Sequence, residues 1–115
     1  MSSELAHPDY RQTLHGSVVE TAEAVIARKL GVVEAAHRLM EIAAELDALD
    51  DADFVYFIDL DSQSDGFPVG EARERWSASA LEREDLARAK YEDSVYGDAV
   101  VHCRSLIARY SPAAG

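Results

Sequence analysis

Apolar residues recur every three or four positions along three long stretches of this chain. They are Leu14, Val18, Ala22 and Val25 in the first stretch, Val32, Ala36, Leu39, Ala43 and Leu46 in the second, and Leu86, Ala89, Tyr96, Val100, Cys103, Ile107 and Tyr110 in the third. This spacing places side chains on one face of an α-helix, whereas side chains on one face of a strand alternate. Because each amphipathic helix must bury its apolar face on another element, we predict a mainly α protein, a bundle of three or four helices.

The length and composition of the chain favour one compact domain. It has 115 residues, of which 48% are apolar, so residues 1–115 fit a single helical domain whose core needs no disulfide or metal. We expect the two ends, 1–7 and 111–115, to be frayed. The single cysteine, the absence of a charged-then-apolar leader and the shortness of the apolar runs predict a cytoplasmic protein that does not associate with membranes.

Acidic residues are concentrated in one third of the chain. No Lys or Arg lies in residues 39–72, the acidic window, which holds ten acids: Glu41, Glu45, Asp47, Asp50, Asp51, Asp53, Asp59, Asp61, Asp65 and Glu71. Nearly all of the formal net charge of -11 therefore comes from this window. Such a balance argues against nucleic-acid binding, because affinity for a phosphate backbone comes mainly from Lys and Arg.

The acidic window predicts a basic partner. We expect its ten carboxylates to gather into a single outward-facing patch, since a concentrated negative field raises the association rate with cationic partners. The leading hypothesis is a non-enzymatic interaction module that binds a basic protein surface, in the manner of an inhibitor or an immunity protein. The plainer alternative is that the acids only keep a small protein soluble.

Residues 54–58, Phe-Val-Tyr-Phe-Ile, interrupt the helical pattern. Their β-branched and aromatic composition predicts one short extended segment within residues 53–60. No second convincing strand is available to pair with this segment, so its backbone donors need irregular neighbours, water or another copy of the chain. A homodimer formed by edge-to-edge pairing is therefore a further hypothesis.

The composition of residues 59–70 predicts a long acidic loop between the second and third helices. Counted from Asp61, oxygen-bearing side chains stand at the first, third and fifth positions and a glycine at the sixth, as in calcium loops. However, Glu71 falls one position too early and Pro68 replaces the usual apolar residue. We therefore predict no metal and no cofactor, and expect the Asp and Ser side chains to bond local backbone.

Arg73 and Trp76 follow the loop and lie three residues apart, which places them on one helical face. Together with the loop acids they form the candidate binding residues, Asp59, Asp61, Asp65, Arg73 and Trp76. They support an alternative function, a small-molecule or metal-binding protein or a minor enzyme, although no catalytic motif is present and no catalytic residue is assigned. In the structural alternative, Arg73 or Arg75 holds the loop by a salt bridge and Trp76 fills the core.

Two residues of the last helical stretch carry separate predictions. Asp93 occupies a position in the apolar repeat, so its carboxylate must be paired, neutral through a raised pKa, or directed at a gap or a partner. Cys103 lies in the same repeat, and we expect it to be a small buried hydrophobe.

The loop and the helix after it resemble a known pattern. The motif Asp-Ser-x-x-Asp…Pro-x-Gly-x-x-Arg-x-x-Trp, which begins here at Asp61 and ends at Trp76, is similar to one found in a family of small uncharacterised bacterial proteins. The family pattern has Glu-Thr where this chain has Gln63 and Ser64. The resemblance implies that the loop and the Trp76 helix matter together, and it implies no reaction.

Overall fold

The structure is a computed structural model that describes residues 8–64 and 70–111, and most of these residues are helical. Four α-helices span Pro8–Ile26 (α1), Val32–Glu45 (α2), Ala52–Gln63 (α3) and Ala78–Tyr110 (α4). A 3-10 helix, Gly70–Arg75, precedes α4. No residue in the described ranges belongs to a strand, so the prediction of a mainly α protein is confirmed.

The helices form a small bundle in which successive helices are antiparallel. The Tyr10 hydroxyl, near the start of α1, donates to Glu45 at the end of α2. His37, in the first half of α2, contacts Asp61 near the end of α3. The long α4 packs mainly along α1, which closes the bundle.

One continuous core joins all four helices. Its buried residues are Leu14, Val18, Ala22 and Val25 of α1, Val32, Ala35, Ala36, Leu39 and Ala43 of α2 with its C-cap Leu46, Phe54, Phe57 and Leu60 of α3, and Ala99, Cys103 and Leu106 of α4. Phe54 and Phe57 are the largest side chains that are fully buried. The apolar repeats that predicted the helices therefore supply most of this core.

The prediction of an extended segment at residues 54–58 is wrong, because these residues lie inside α3. Phe54, Phe57 and Leu60 follow one another every three residues, and all three are buried. Burial of this helical stripe overrides the local β-propensity of the segment, which measures packing more than backbone preference.

Two acids begin α3 where the extended segment was expected. Asp51 is the N-cap, and its carboxylate accepts a hydrogen bond of 3.0 Å from the backbone N–H of Asp53. Acids at this end also interact favourably with the helix dipole. Because the backbone of α3 is bonded within the helix, the homodimer built on an unpaired strand loses its basis.

The predicted acidic loop does not extend over the whole of residues 59–70, because both ends of this range are helical. Of residues 59–70, the first five belong to α3 and Ser64 is its C-cap, whereas 65–69 lie outside the described residues. Ser64 is buried, and its hydroxyl donates to the carbonyl of Leu60 at 2.8 Å. Of the predicted frayed segments 1–7 and 111–115, only Ser111, the C-cap of α4, is described; 1–7 and 112–115 lie outside the described residues.

The first half of α4 extends beyond the core. The residues of α4 that are buried, Ala99, Cys103 and Leu106, all lie in its second half, whereas Leu86 is 59% exposed. Of the alternatives predicted for Asp93, the structure shows the paired one: its exposed carboxylate lies 3.7 Å from the guanidinium of Arg28. Although α4 has 33 residues, no helix in the described ranges combines the length and apolarity needed to cross a membrane.

Side chains of α4 hold the turn between α1 and α2. The Tyr96 hydroxyl donates to the carbonyl of Ile26, the last residue of α1, at 2.7 Å. Arg28 adopts a positive φ of 59°, and its guanidinium lies 3.8 Å from the centre of the Tyr96 ring. These contacts satisfy an orphan carbonyl of the helix end and fix the path of the turn.

The N-terminus of α2 is capped by a residue from α4. Gly31 at the N-cap has no side chain to accept a hydrogen bond, and Oε2 of Glu92 accepts instead from the Val33 N–H at 3.0 Å. A Cβ on Gly31 would lie 2.5 Å from this oxygen. The glycine therefore leaves the space that the Glu92 carboxylate occupies.

This arrangement predicts a measurable cost for the loss of Glu92. Glu92→Ala should lower the free energy of unfolding by about 1 kcal/mol, the usual contribution of an N-cap acceptor. Glu82→Ala, an exposed position on the same helix, is the matched control for the change in helix propensity. Urea denaturation of the two variants checks this, and equal stability of both would contradict a capping role.

Candidate functional site

Most of the acidic window forms the antiparallel pair α2–α3 and its connection. Five carboxylates are exposed there, and we call them the acidic hairpin surface: Glu41, Glu45, Asp47, Asp50 and Asp59. Among the residues that the structure describes, none forms an ion pair with Asp47, Asp50 or Asp59. Leu49 and Val55, exposed at 51% and 36%, lie in the same part of the chain. This part of the chain therefore combines exposed negative charge, uncompensated at Asp47, Asp50 and Asp59, with exposed apolar side chains.

Two acids of the window, Asp51 and Asp53, contact the last turns of α4 instead. One guanidinium nitrogen of Arg109 donates to both carboxylates at 2.9 Å, and the other donates to Asp51. Asp53 also accepts from the Ser105 hydroxyl at 2.6 Å and contacts Nδ1 of His102 at 2.9 Å. We call these five residues the Asp–Arg cluster. The expectation that all ten carboxylates form one outward patch is wrong for these two, because their side chains are largely buried and both pair with Arg109.

The cluster shifts the pKa of each acid in the same direction. Hydrogen bonding from Arg109 lowers the pKa of Asp51 and outweighs the partial burial of the carboxylate, which raises it. For Asp53, burial raises the pKa, but the hydrogen bonds with Ser105, His102 and Arg109 together lower it by more than burial raises it. Both carboxylates are therefore stabilised in the charged form by contacts that exist only in the folded chain.

Asp61, a candidate binding residue, lies beside a histidine of α2. Its carboxylate is 3.3 Å from Nδ1 of His37, and Nε2 of the same ring is 3.8 Å from Glu41. The side chain of Asp61 is 26% exposed, whereas those of His37 and Glu41 are mostly exposed. This imidazole therefore bridges acids of two helices at the edge of the acidic hairpin surface.

The other candidate binding residues are not brought together. Arg73 donates to both oxygens of Asp85 in α4 at 2.7 and 2.8 Å, which ties the 3-10 helix to α4; the predicted salt bridge to the loop is not among its contacts in the described part of the chain. Trp76 is 40% exposed, so the expectation that it fills the core is wrong. Asp59 is exposed on α3, and Asp65 lies outside the described residues. No hydrogen bond or ion pair in the described part of the chain joins Arg73 to Asp59.

The described residues hold no evident metal centre. Within 8–64 and 70–111, no three His, Cys, Asp or Glu side chains are grouped so as to hold a metal ion. The calcium-like spacing of residues 61–71 begins inside α3 and then passes through 65–69, which the structure does not describe. The metal or small-molecule site at 59–76 therefore stays a prediction.

Cys103 is buried in the core, as expected for a small hydrophobe. It has no exposed surface and no disulfide partner. Desolvation raises the pKa of its thiol to about 12. Because the thiolate is the reactive form, this cysteine is chemically inert in the folded protein.

The Asp–Arg cluster and the Glu92 cap were not predicted from the sequence. One local signal was available, since Asp51 followed by Asp53 and an apolar residue is a typical helix N-terminus. The partners gave no such signal: Arg109 is 58 residues from Asp51, and Glu92 is 59 residues from Val33. Contacts at this separation follow from the packing of α4 and from no local pattern.

The chain has no match among known proteins in the comparisons made. No protein-family model, no curated protein and no solved structure matches it. A function must therefore be argued from the charge, exposure and contacts of its own residues.

The Asp–Arg cluster predicts an acid-sensitive contribution to stability. Because folding lowers the pKa of Asp51 and Asp53, the contribution is complete above the ordinary carboxyl pKa of about 4 and is lost as the pH falls through the lower folded values. Arg109→Gln should therefore destabilise the protein by about 1 kcal/mol at neutral pH and by much less near pH ~2. Urea denaturation across this range measures the difference.

The control for this prediction is Arg104→Gln, an exposed arginine of the same helix. It should leave the pH dependence of the unfolding free energy close to that of the wild type. A difference between Arg109→Gln and wild type that is constant over the whole pH range would contradict the assigned role of the cluster.

The burial of Cys103 predicts that its thiol resists modification. A thiol-specific reagent such as Ellman's reagent should leave the folded protein unreacted at pH ~8 while the urea-unfolded protein reacts fully. Absorbance of the released thiolate measures both. Fast reaction of the folded protein would show that the core around Cys103 opens far more readily than the packing implies.

Proposed function

We propose that this protein is a non-enzymatic interaction module whose acidic hairpin surface binds a basic protein surface, as an inhibitor or immunity protein would. One observation carries the proposal. Asp47, Asp50 and Asp59 are exposed and form no ion pair in the described part of the chain, within a window that has no Lys or Arg. The protein therefore leaves these three like charges unpaired with any cation of the described part of the chain.

The physical consequences of this surface favour binding over a purely structural role. Uncompensated like charges repel one another and destabilise the compact state, but they accelerate encounter with a cationic partner by about 10- to 1,000-fold at low salt. The exposed side chains of Leu49 and Val55 add apolar area that a partner would cover. Interfaces typically combine such an apolar centre with complementary charges around it.

The alternative site at residues 59–76 has weaker support. A ligand carboxylate or phosphate would need the guanidinium of Arg73, and Asp85 already occupies that group in a two-pronged contact. Trp76 is partly exposed, but in the described part of the chain no second candidate residue contacts it by a hydrogen bond or ion pair. In the described part of the chain, Asp47, Asp50 and Asp59 form no ion pair, whereas Arg73 does.

A defined polycation tests the proposal. An oligo-lysine peptide added to isotopically labelled protein should shift the backbone NMR signals of the acidic hairpin surface most, since the charges there are uncompensated. The affinity should fall by at least about tenfold between ~50 and ~300 mM salt, because screening shortens the range of the interaction. Binding that is indifferent to salt would remove the basis of the proposal.

Two variants with the same net charge locate the binding site. Asp47→Asn, Asp50→Asn and Asp59→Asn together remove three charges from the hairpin, and Glu20→Gln, Glu23→Gln and Glu82→Gln remove three from other exposed positions. The first variant should lose most of the binding and the second should retain it. Equal losses would indicate that the peptide responds only to the overall charge of the protein.

A further inference from the structure

Gly16 lies in the middle of α1, where the packing of the helix does not require a glycine. The helix continues through this position without a break, although glycine is a poor residue for a helix interior. A Cβ built on Gly16 would meet no other group within 4 Å, whereas the space beside Gly31 is filled by the Glu92 carboxylate. The missing side chain at position 16 therefore leaves open space on the surface of α1.

This open space belongs to a groove between α1 and the end of α4, which we call the α1–α4 groove. Its lining residues include Gln12, His15, Gly16, Val19, Glu20 and Tyr110. The groove has a volume of about 650 Å³, within the range of about 300–1,000 Å³ that is typical of small-molecule sites. A larger side chain at position 16 would occupy part of this volume.

The walls of the groove are suited to a flat ring. The imidazole of His15 and the ring of Tyr110 lie 5.0 Å apart in an edge-to-face arrangement. Tyr110 also packs at 5.8 Å against the buried ring of Phe54, which holds the tyrosine in place. Together with the aliphatic side chain of Val19 and the bare backbone at Gly16, these rings offer apolar and aromatic surface to a ligand.

Opposite charges stand at the two ends of the groove. Arg11 and Arg109 both act electrostatically on the hydroxyl of Tyr110. Glu20 lies nine residues after Arg11, about 14 Å further along α1, and it forms no ion pair in the described part of the chain. A cationic group therefore fits the Glu20 end of the groove, away from both arginines.

An anionic group fits the other end less well. Arg109, which also lines the groove, is already paired with Asp51 and Asp53. In addition, a protein with a formal net charge of -11 attracts cations and repels anions at long range. The charges thus favour a ligand that carries a positive charge beside its ring.

We propose that the α1–α4 groove binds an arylethylamine, an aromatic ring joined by a two-carbon arm to an ammonium group. The ring lies over the backbone at Gly16, and the ammonium group pairs with the carboxylate of Glu20. These two residues are one helical turn apart, about 6 Å along the axis, and helical side chains lean towards the N-terminus, so a two-carbon arm spans the distance. The site is separate from the acidic hairpin surface and does not rest on the function proposed for it.

Tyramine, a simple arylethylamine, is the probe. Titrated into isotopically labelled protein near ~0.15 M salt, it should shift the backbone NMR signals of residues 12–20 and 109–111 most, with a dissociation constant below about 1 mM. n-Butylamine, which has the charge but no ring, should bind at least about tenfold more weakly. 4-Ethylphenol, which has the ring but no charge, should bind about threefold more weakly, and the anion 4-hydroxyphenylacetate more weakly still.

Filling the groove should prevent binding. Gly16→Leu places a side chain in the open space and should lower the affinity for tyramine by at least about tenfold. Gly97→Leu is the matched control, because Gly97 is an exposed glycine of α4 outside the groove and a Cβ there would also meet no group within 4 Å. Both variants should raise the melting temperature, since leucine is the better helix former, but Gly97→Leu should leave the affinity for tyramine unchanged.

The role of the carboxylate is tested separately. Glu20→Gln should lower the affinity for tyramine about threefold and leave the affinity for 4-ethylphenol unchanged. Glu23→Gln removes the same charge from another exposed position of α1 and should change neither affinity.

Three results would each overturn the proposal: no shift with tyramine at ~5 mM, equal shifts with n-butylamine, or wild-type affinity in Gly16→Leu. Oligo-lysine binding at the acidic hairpin surface would survive any of them, so the two proposals fail separately.

Discussion

Burial of the small apolar face of α2 is the constraint on which the rest of the structure depends. Ala35, Ala36 and Ala43 are fully buried, and their small side chains let neighbouring helices approach closely. With that face enclosed by the bundle, the opposite face of α2 and the connection to α3 must meet solvent. The distribution of charge over this fold follows, since acids can occupy those positions at little desolvation cost.

The helical periodicity of the sequence was sufficient to predict α1, α2 and the second half of α4. It failed at residues 54–58, where five consecutive strand-favouring residues concealed a helical stripe of Phe54, Phe57 and Leu60. Propensity is a local quantity, and burial against other helices decided the outcome here. The N-cap at Asp51 was the one local signal that opposed the strand prediction.

The candidate site was predictable in composition but not in arrangement. The absence of Lys and Arg from the acidic window is visible in the sequence, and most of its described acids are exposed. The sequence did not show that Arg109 would reach Asp51 and Asp53, or that Asp85 would engage Arg73. Those contacts depend on where one long helix crosses the others, which local patterns do not specify.

α4 makes every one of these long-range attachments. Glu92 and Tyr96 hold the turn before α2, and Arg109 holds the start of α3, while the core side chains between them are buried. All belong to one uninterrupted helical rod about 50 Å long, so loosening either end disturbs the alignment of the other. The bundle is therefore expected to melt as one cooperative unit, with no separately folding half.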